Sequence, residues 1–264
     1  MKHLNTYITE YIIKKKLDKP IDSENYYKYY PKTTEELTDN INELIKQDIY
    51  DFNCINTSEI TDMSYLFKNL YNIKIKENDF DVSGWNVSNV KDMTSMFYNC
   101  EKFNCDLSNW NVSKVKNMSG TFSRCKNFKG KGFEKWDVKK VKSMYSMFSC
   151  CTKFDGKSIE NWNVGNVIST RNMFWGCENL DCNLSNWDVS KVMDMNQMFY
   201  NCINFEGDGI EKWNVSNVKY MEQMFFNCKK FKNDKIKIWN KNENIFNMFY
   251  NCLSLKNKPS WYKE

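Results

Sequence analysis

The chain has 264 residues, 41% of them hydrophobic and 16% aromatic, with a mean hydropathy of −0.70 that leaves much polar surface in contact with water. Its formal net charge of +5 comes from 38 basic and 33 acidic side chains mixed along the sequence, too mild a balance to announce a nucleic-acid binder. No run of about 18 apolar residues is present to span a bilayer, and Met1 to Glu10 lacks the apolar centre of a signal peptide. The expected location is therefore the cytoplasm, or a virion or host cytoplasm if the gene is viral.

Residues 1–50 read as a helical leader and cap, and residues 51–264 as an array of about eight repeats. In the leader, Tyr7, Ile8, Tyr11 and Ile12 recur at helical spacing and run into Lys14 to Lys16, predicting a short amphipathic helix that ends near Pro20. Beyond Pro31, Thr33 followed by Glu36 forms a capping box. Leu37, Ile41, Leu44 and Ile45 then mark one face of a helix reaching about Gln47. Such a helix suits the first unit of an array, which has no neighbour on one side.

Repeats begin at Ile55, Trp85, Trp110, Trp136, Trp162, Trp187, Trp213 and Trp239, with 25 or 26 residues between successive tryptophans. The extra residue falls in the loop before the tryptophan, as Phe128 to Trp136 shows against Phe103 to Trp110. The last copy is worn, with Lys241 in place of the first valine. Trp-x-Val alternates inward and outward, which predicts a very short strand. Val90, Met93, Met96, Phe97 and Cys100 are spaced as one apolar stripe on a helix of two to three turns. The expected fold is an α/β repeat solenoid of about eight rungs, each with a short parallel strand and a short helix, behind a helical N-terminal cap.

Seven of the eleven cysteines occupy one repeat position, from Cys100 through Cys125, Cys151, Cys177, Cys202 and Cys228 to Cys252. Stacked thiols pointing the same way are poor disulfide geometry, so they read as small buried hydrophobes. Cys54, Cys105, Cys150 and Cys182 form no CxxC, and His3 is the only histidine, so no metal site and no cofactor are expected.

The units Trp85-Asn-Val-Ser-Asn-Val-Lys-Asp-Met-Thr-Ser-Met-Phe97 and Trp187-Asp-Val-Ser-Lys-Val-Met-Asp-Met-Asn-Gln-Met-Phe199 resemble the repeat of BspA-like surface proteins. The resemblance covers roughly residues 55–255. It implies a right-handed, leucine-rich-repeat-like solenoid that binds other macromolecules, often at bacterial surfaces, with related repeats in protists and large viruses or phages.

An array supplies columns of like side chains where catalysis needs unlike groups converging in a pocket. The chain is therefore expected not to be an enzyme but to bind a protein partner. A structural or adhesive component of a virus particle or cell surface is the alternative. A nucleic-acid binder comes third, served by Lys91, Lys114, Lys116, Lys140, Lys142, Lys191 and Lys219. Two columns could carry binding. The residue after the conserved phenylalanine is Tyr98, Ser123, Ser149, Trp175, Tyr200, Phe226 or Tyr250. On a helix this position lies opposite the buried centre, which would expose Tyr98, Trp175, Tyr200, Phe226 and Tyr250; on a looser turn the aromatics would pack between rungs. The second column follows the tryptophan: Asn86, Asn111, Asp137, Asn163, Asp188 and Asn214. It either satisfies the turn after the strand or reads a ligand.

Overall fold

A computed structural model describes residues 27–68, 80–239 and 244–262. The expected leader helix near residues 7–16 and the worn position Lys241 lie outside them. Helix α1 spans Thr34–Lys46. The Thr33 side chain accepts the Glu36 N–H at 3.1 Å, and the Glu36 carboxylate accepts the Lys32 N–H at 2.7 Å. Two orphan donors at the helix start are thus satisfied by side chains. Leu37, Ile41 and Leu44 are buried in the same cluster as Phe52 and Phe67 of the first repeat. Ahead of the helix, Tyr29 forms a parallel bridge to Ile55.

From Asp51 onward the chain stacks its repeats, yet the expected α/β solenoid with a strand and a helix in each rung is not what forms. Among the described residues α1 is the only α-helix, no sheet is present, and strand pairing is limited to isolated parallel bridges. One column of bridges runs Asp62, Asp92, Asn117, Ser143, Ser169, Asp194, Tyr220. The Met-x-x-Met-Phe-x-x-Cys segment, expected to be helical, is a run of tight turns. In the unit from Trp85, the N–H groups of Met96, Tyr98 and Cys100 bond to carbonyls three residues back, while those of Met93, Ser95, Phe97 and Asn99 donate to Asn117, Ser119, Thr121 and Ser123 of the next unit.

The physical reason lies in two facts. A helix of two turns is marginal by itself, because nucleation costs more than its few hydrogen bonds return. Here every second amide finds a carbonyl on the neighbouring repeat instead. The turns also need left-handed residues four apart, such as Ser95 (φ 51°) and Asn99 (φ 63°), and later Gln197 (φ 54°) and Asn201 (φ 58°). Asparagine tolerates that conformation better than most residues.

The alternation of repeat length has a local counterpart. Each of the tryptophans reached after 26 residues, Trp136, Trp162, Trp213 and Trp239, follows a 3-10 turn, at Phe133–Lys135, Lys157–Ile159, Ile210–Lys212 and Asp234–Ile238. Gly132 opens the first of these at φ 95°, and a Cβ there would lie 2.2 Å from the backbone nitrogen of Ser108. No other residue fits.

The interior is made of columns. Indole rings stack at 6.3 Å between Trp110 and Trp136 and at 6.1 Å between Trp136 and Trp162. Whereas the buried Trp239 N–H finds no acceptor among the described residues, from Trp85 to Trp213 each indole N–H donates to a carbonyl of the preceding repeat, as Trp162 Nε1 does to Phe133 at 2.8 Å. This gives the polar end of a buried tryptophan the partner it needs. A phenylalanine column runs from Phe67 to Phe249, with neighbouring centroids 5.3 to 5.9 Å apart. All eleven cysteines are free. In the column from Cys125 onward each Sγ lies 2.9 to 3.0 Å from a phenylalanine carbonyl of the repeat before.

Candidate interaction surfaces

Trp175, Tyr200, Phe226 and Tyr250 come together as one continuous stack. Successive rings are 5.6, 4.6 and 4.7 Å apart and within 17° of parallel. Trp175, Tyr200 and Phe226 are half-buried, because each ring covers the face of the next, whereas Tyr250 at the end is 57% exposed. The fold does not require aromatics in this column, since Ser123 and Ser149 hold it in earlier repeats, and these serines separate Tyr98 from the stack. Stacking between rungs and partial exposure of the rings thus coexist.

A second ladder lies immediately beside this one. Asn227 Nδ2 donates to Asn201 Oδ1 at 2.7 Å, Asn251 continues the line by donating to Asn227 Oδ1, and Gln197 Nε2 donates to Gln223 Oε1 at 2.6 Å. These amides are not among the sequence candidates, although the three asparagines recur between an aromatic residue and the column cysteine at residues 199–202, 225–228 and 249–252. Reading the segment as a helix concealed their alignment.

The column after the tryptophan has a different geometry. Asn86, Asn111, Asn163, Asp188 and Asn214 are exposed and Asp137 is half-buried. Each uses its Oδ1 to accept the backbone N–H two residues on, at 3.0 to 3.2 Å. That closes the turn and occupies one side-chain oxygen in every repeat. Serine hydrogen bonding holds the Asp188 carboxyl below its usual range, and the Lys139 ammonium does the same for Asp137.

The seven lysines are all exposed. Lys91, Lys116 and Lys142 stack directly, the N–H of each later one donating to the carbonyl before it at 2.8 Å, but Ile168 and Met193 then interrupt the column. Lys114 and Lys191 tie their ammonium groups to Asn89 and Asn166 at 2.7 and 2.8 Å. Among the described residues no group of three or more His, Cys, Asp and Glu side chains is placed to hold a metal ion, and no helix is long and apolar enough to cross a membrane. Burial pushes the thiols of Cys100 and Cys252 up to about 12 and that of Cys54 to about 11.

Fold and surface together define a class: a stacked repeat protein whose surface presents columns of like side chains, here an aromatic and an amide ladder side by side. The chain belongs to the family described as Mycoplasma protein of unknown function, DUF285, which it matches over residues 33–158 and again over 142–262. No curated protein matches it.

Proposed function

We propose that the chain is a non-enzymatic protein-interaction array that captures a protein partner on the flank formed by Trp175, Tyr200, Phe226 and Tyr250. The observation that carries this reading is the four-ring stack in successive repeats, in a column where earlier repeats hold serine. Aromatic residues concentrated on a rigid surface are typical interface anchors, and the adjoining amides supply a polar rim. The resemblance to BspA-like surface proteins supports a binding role and is compatible with a place on a cell surface, where the same flank would act as an adhesive face.

The test separates binding from folding. Replacing Trp175 and Tyr200 by alanine should abolish capture of the partner from a lysate of the producing or host cell while shifting the melting temperature little, since anchors contribute about 2 kcal/mol or more each to binding. Phe174→Ala, one position earlier and fully buried, should instead cost roughly 3 to 5 kcal/mol of stability. If the Trp175 and Tyr200 changes unfold the protein as severely as Phe174→Ala, the stack belongs to the core and the reading fails.

A further inference from the structure

In the turn segments the backbone is polarised along the stack. Gln197, Phe199 and Asn201 donate their N–H groups forward to the carbonyls of Glu222, Met224 and Phe226, and Gln223, Phe225 and Asn227 donate in turn to Phe246, Met248 and Tyr250. The corresponding N–H groups of Asn247, Phe249 and Asn251 have no acceptor among the described residues. Among the described residues the last repeat therefore ends in a row of donors without acceptors at alternate residues, with the Tyr250 ring closing the aromatic ladder and Asn251 closing the amide ladder.

The side chains of this edge change character as well. Phe246, 70% exposed, stands where the two preceding repeats carry Asn196 and Glu222, and Leu253, 72% exposed, stands where the three preceding repeats carry Glu178, Ile203 and Lys229. Glu222 and Lys229 of the adjoining repeat thus give way to apolar residues at the edge, and exposing both is unfavourable unless something covers them. At the opposite end the first repeat is covered by α1, whose Thr34 hydroxyl donates to the Asp62 carbonyl at 2.7 Å. Trp261 and Tyr262 fold back onto the Phe249 ring. The Tyr250 ring is left open.

We propose that this edge is a docking site for an extended peptide segment of the repeat's own chemistry, supplied by another protein: an aromatic residue to stack on Tyr250, a neighbouring carboxamide to extend the asparagine ladder, and carbonyls at alternate positions for Asn247, Phe249 and Asn251. The internal contacts between repeats are the template. Donors with the same spacing receive the next repeat at the junctions from Ser95 onward, and from Trp175 onward an aromatic ring stacks beside them, so the edge continues an interface already built, a form of strand addition. Interior junctions show the partner running parallel.

This inference shares Tyr250 with the proposed function but concerns the end of the stack. The probe is a synthetic peptide of residues 219–231, which holds the Glu222, Met224 and Phe226 carbonyls and the Phe226 ring. Titrated into the full chain by calorimetry, it should saturate at one per chain, and Tyr250→Ala should weaken it by about tenfold or more. Replacing Phe226 in the peptide by lysine should do the same. Tyr98→Ala, in the same column at the far end, should leave binding unchanged and serves as the folding control. Trp175→Ala should also leave it unchanged while impairing partner capture on the flank, so the two proposals fail separately. No saturation at about 1 mM peptide, a bound state indifferent to Tyr250→Ala, or Tyr250-dependent self-association of the chain in place of peptide binding would each overturn it.

Discussion

At the scale of single residues, the cysteine column shows how burial and position replace redox chemistry. Cys125, Cys151, Cys177, Cys202 and Cys228 are buried against carbonyls of the preceding repeat, and burial holds their thiols well above the ordinary value of 9.0. In the unfolded chain such thiols ionise near pH 8.5, while the folded ones keep their protons. The unfolded state then binds fewer protons, so stability is fully present below about pH 8 and falls as pH rises, by about 1.4 kcal/mol per pH unit for each thiol. Melting temperatures between pH 7 and 10 should show a steep alkaline decline. Cys151→Ala with Cys177→Ala should make that decline shallower, and a flat profile in the parent protein would contradict the assignment. The position of this column was readable from the repeat alone. Its pairing with the phenylalanine carbonyls was not, because it depends on which backbone atom the neighbouring repeat presents.

At the scale of elements, α1 was readable because its signals are local: Thr33, Glu36 and an apolar face at helical spacing lie within one segment. The turn segments mislead for a related reason. Buried positions at Met93, Met96, Phe97 and Cys100 match a helical stripe, but the same spacing arises when two tight turns place alternate amides outward toward the next repeat. The 3-10 turns of the longer repeats offer a direct check on this local geometry. Gly132→Ala forces a left-handed alanine against the Ser108 backbone and should cost roughly 2 to 3 kcal/mol or more. At Gly165 φ is not positive and an added Cβ meets the Asp188 carboxylate oxygen at 3.0 Å, the end of a movable side chain. Gly165→Ala should therefore stay within about 0.5 kcal/mol of the parent. Denaturant midpoints of the two variants would decide, and equal losses would count against the described turn.

At the scale of the whole molecule, each repeat touches its two neighbours, so stability should behave as a sum of units and junctions rather than as one core. Phe148 stacks on Phe122 and Phe174, whereas Phe249 stacks on Phe225 with only Trp261 and Tyr262 beyond it. Phe148→Ala should cost roughly 3 to 5 kcal/mol and destabilise the array on both sides. Phe249→Ala should loosen the last repeat alone. Hydrogen exchange resolves the difference: protection lost only beyond residue 239 is expected for Phe249→Ala, and loss throughout the chain would show that the repeats fold as a single cooperative block.

The period of 25 or 26 residues, the columns of Trp, Phe and Cys, the cap helix and the loop that absorbs the extra residue were all determined by the sequence itself, because each rests on spacing within one segment or identity between copies. Only the tertiary structure decided that the repeats are turns joined by amide-to-carbonyl bonds, that Trp175 to Tyr250 stack face to face with an amide ladder beside them, and that Asn247, Phe249 and Asn251 of the last repeat find no acceptor among the described residues. Those features depend on where a backbone amide finds its acceptor. In an isolated segment the nearest carbonyl would belong to its own helix, and in the stack it belongs to the next repeat.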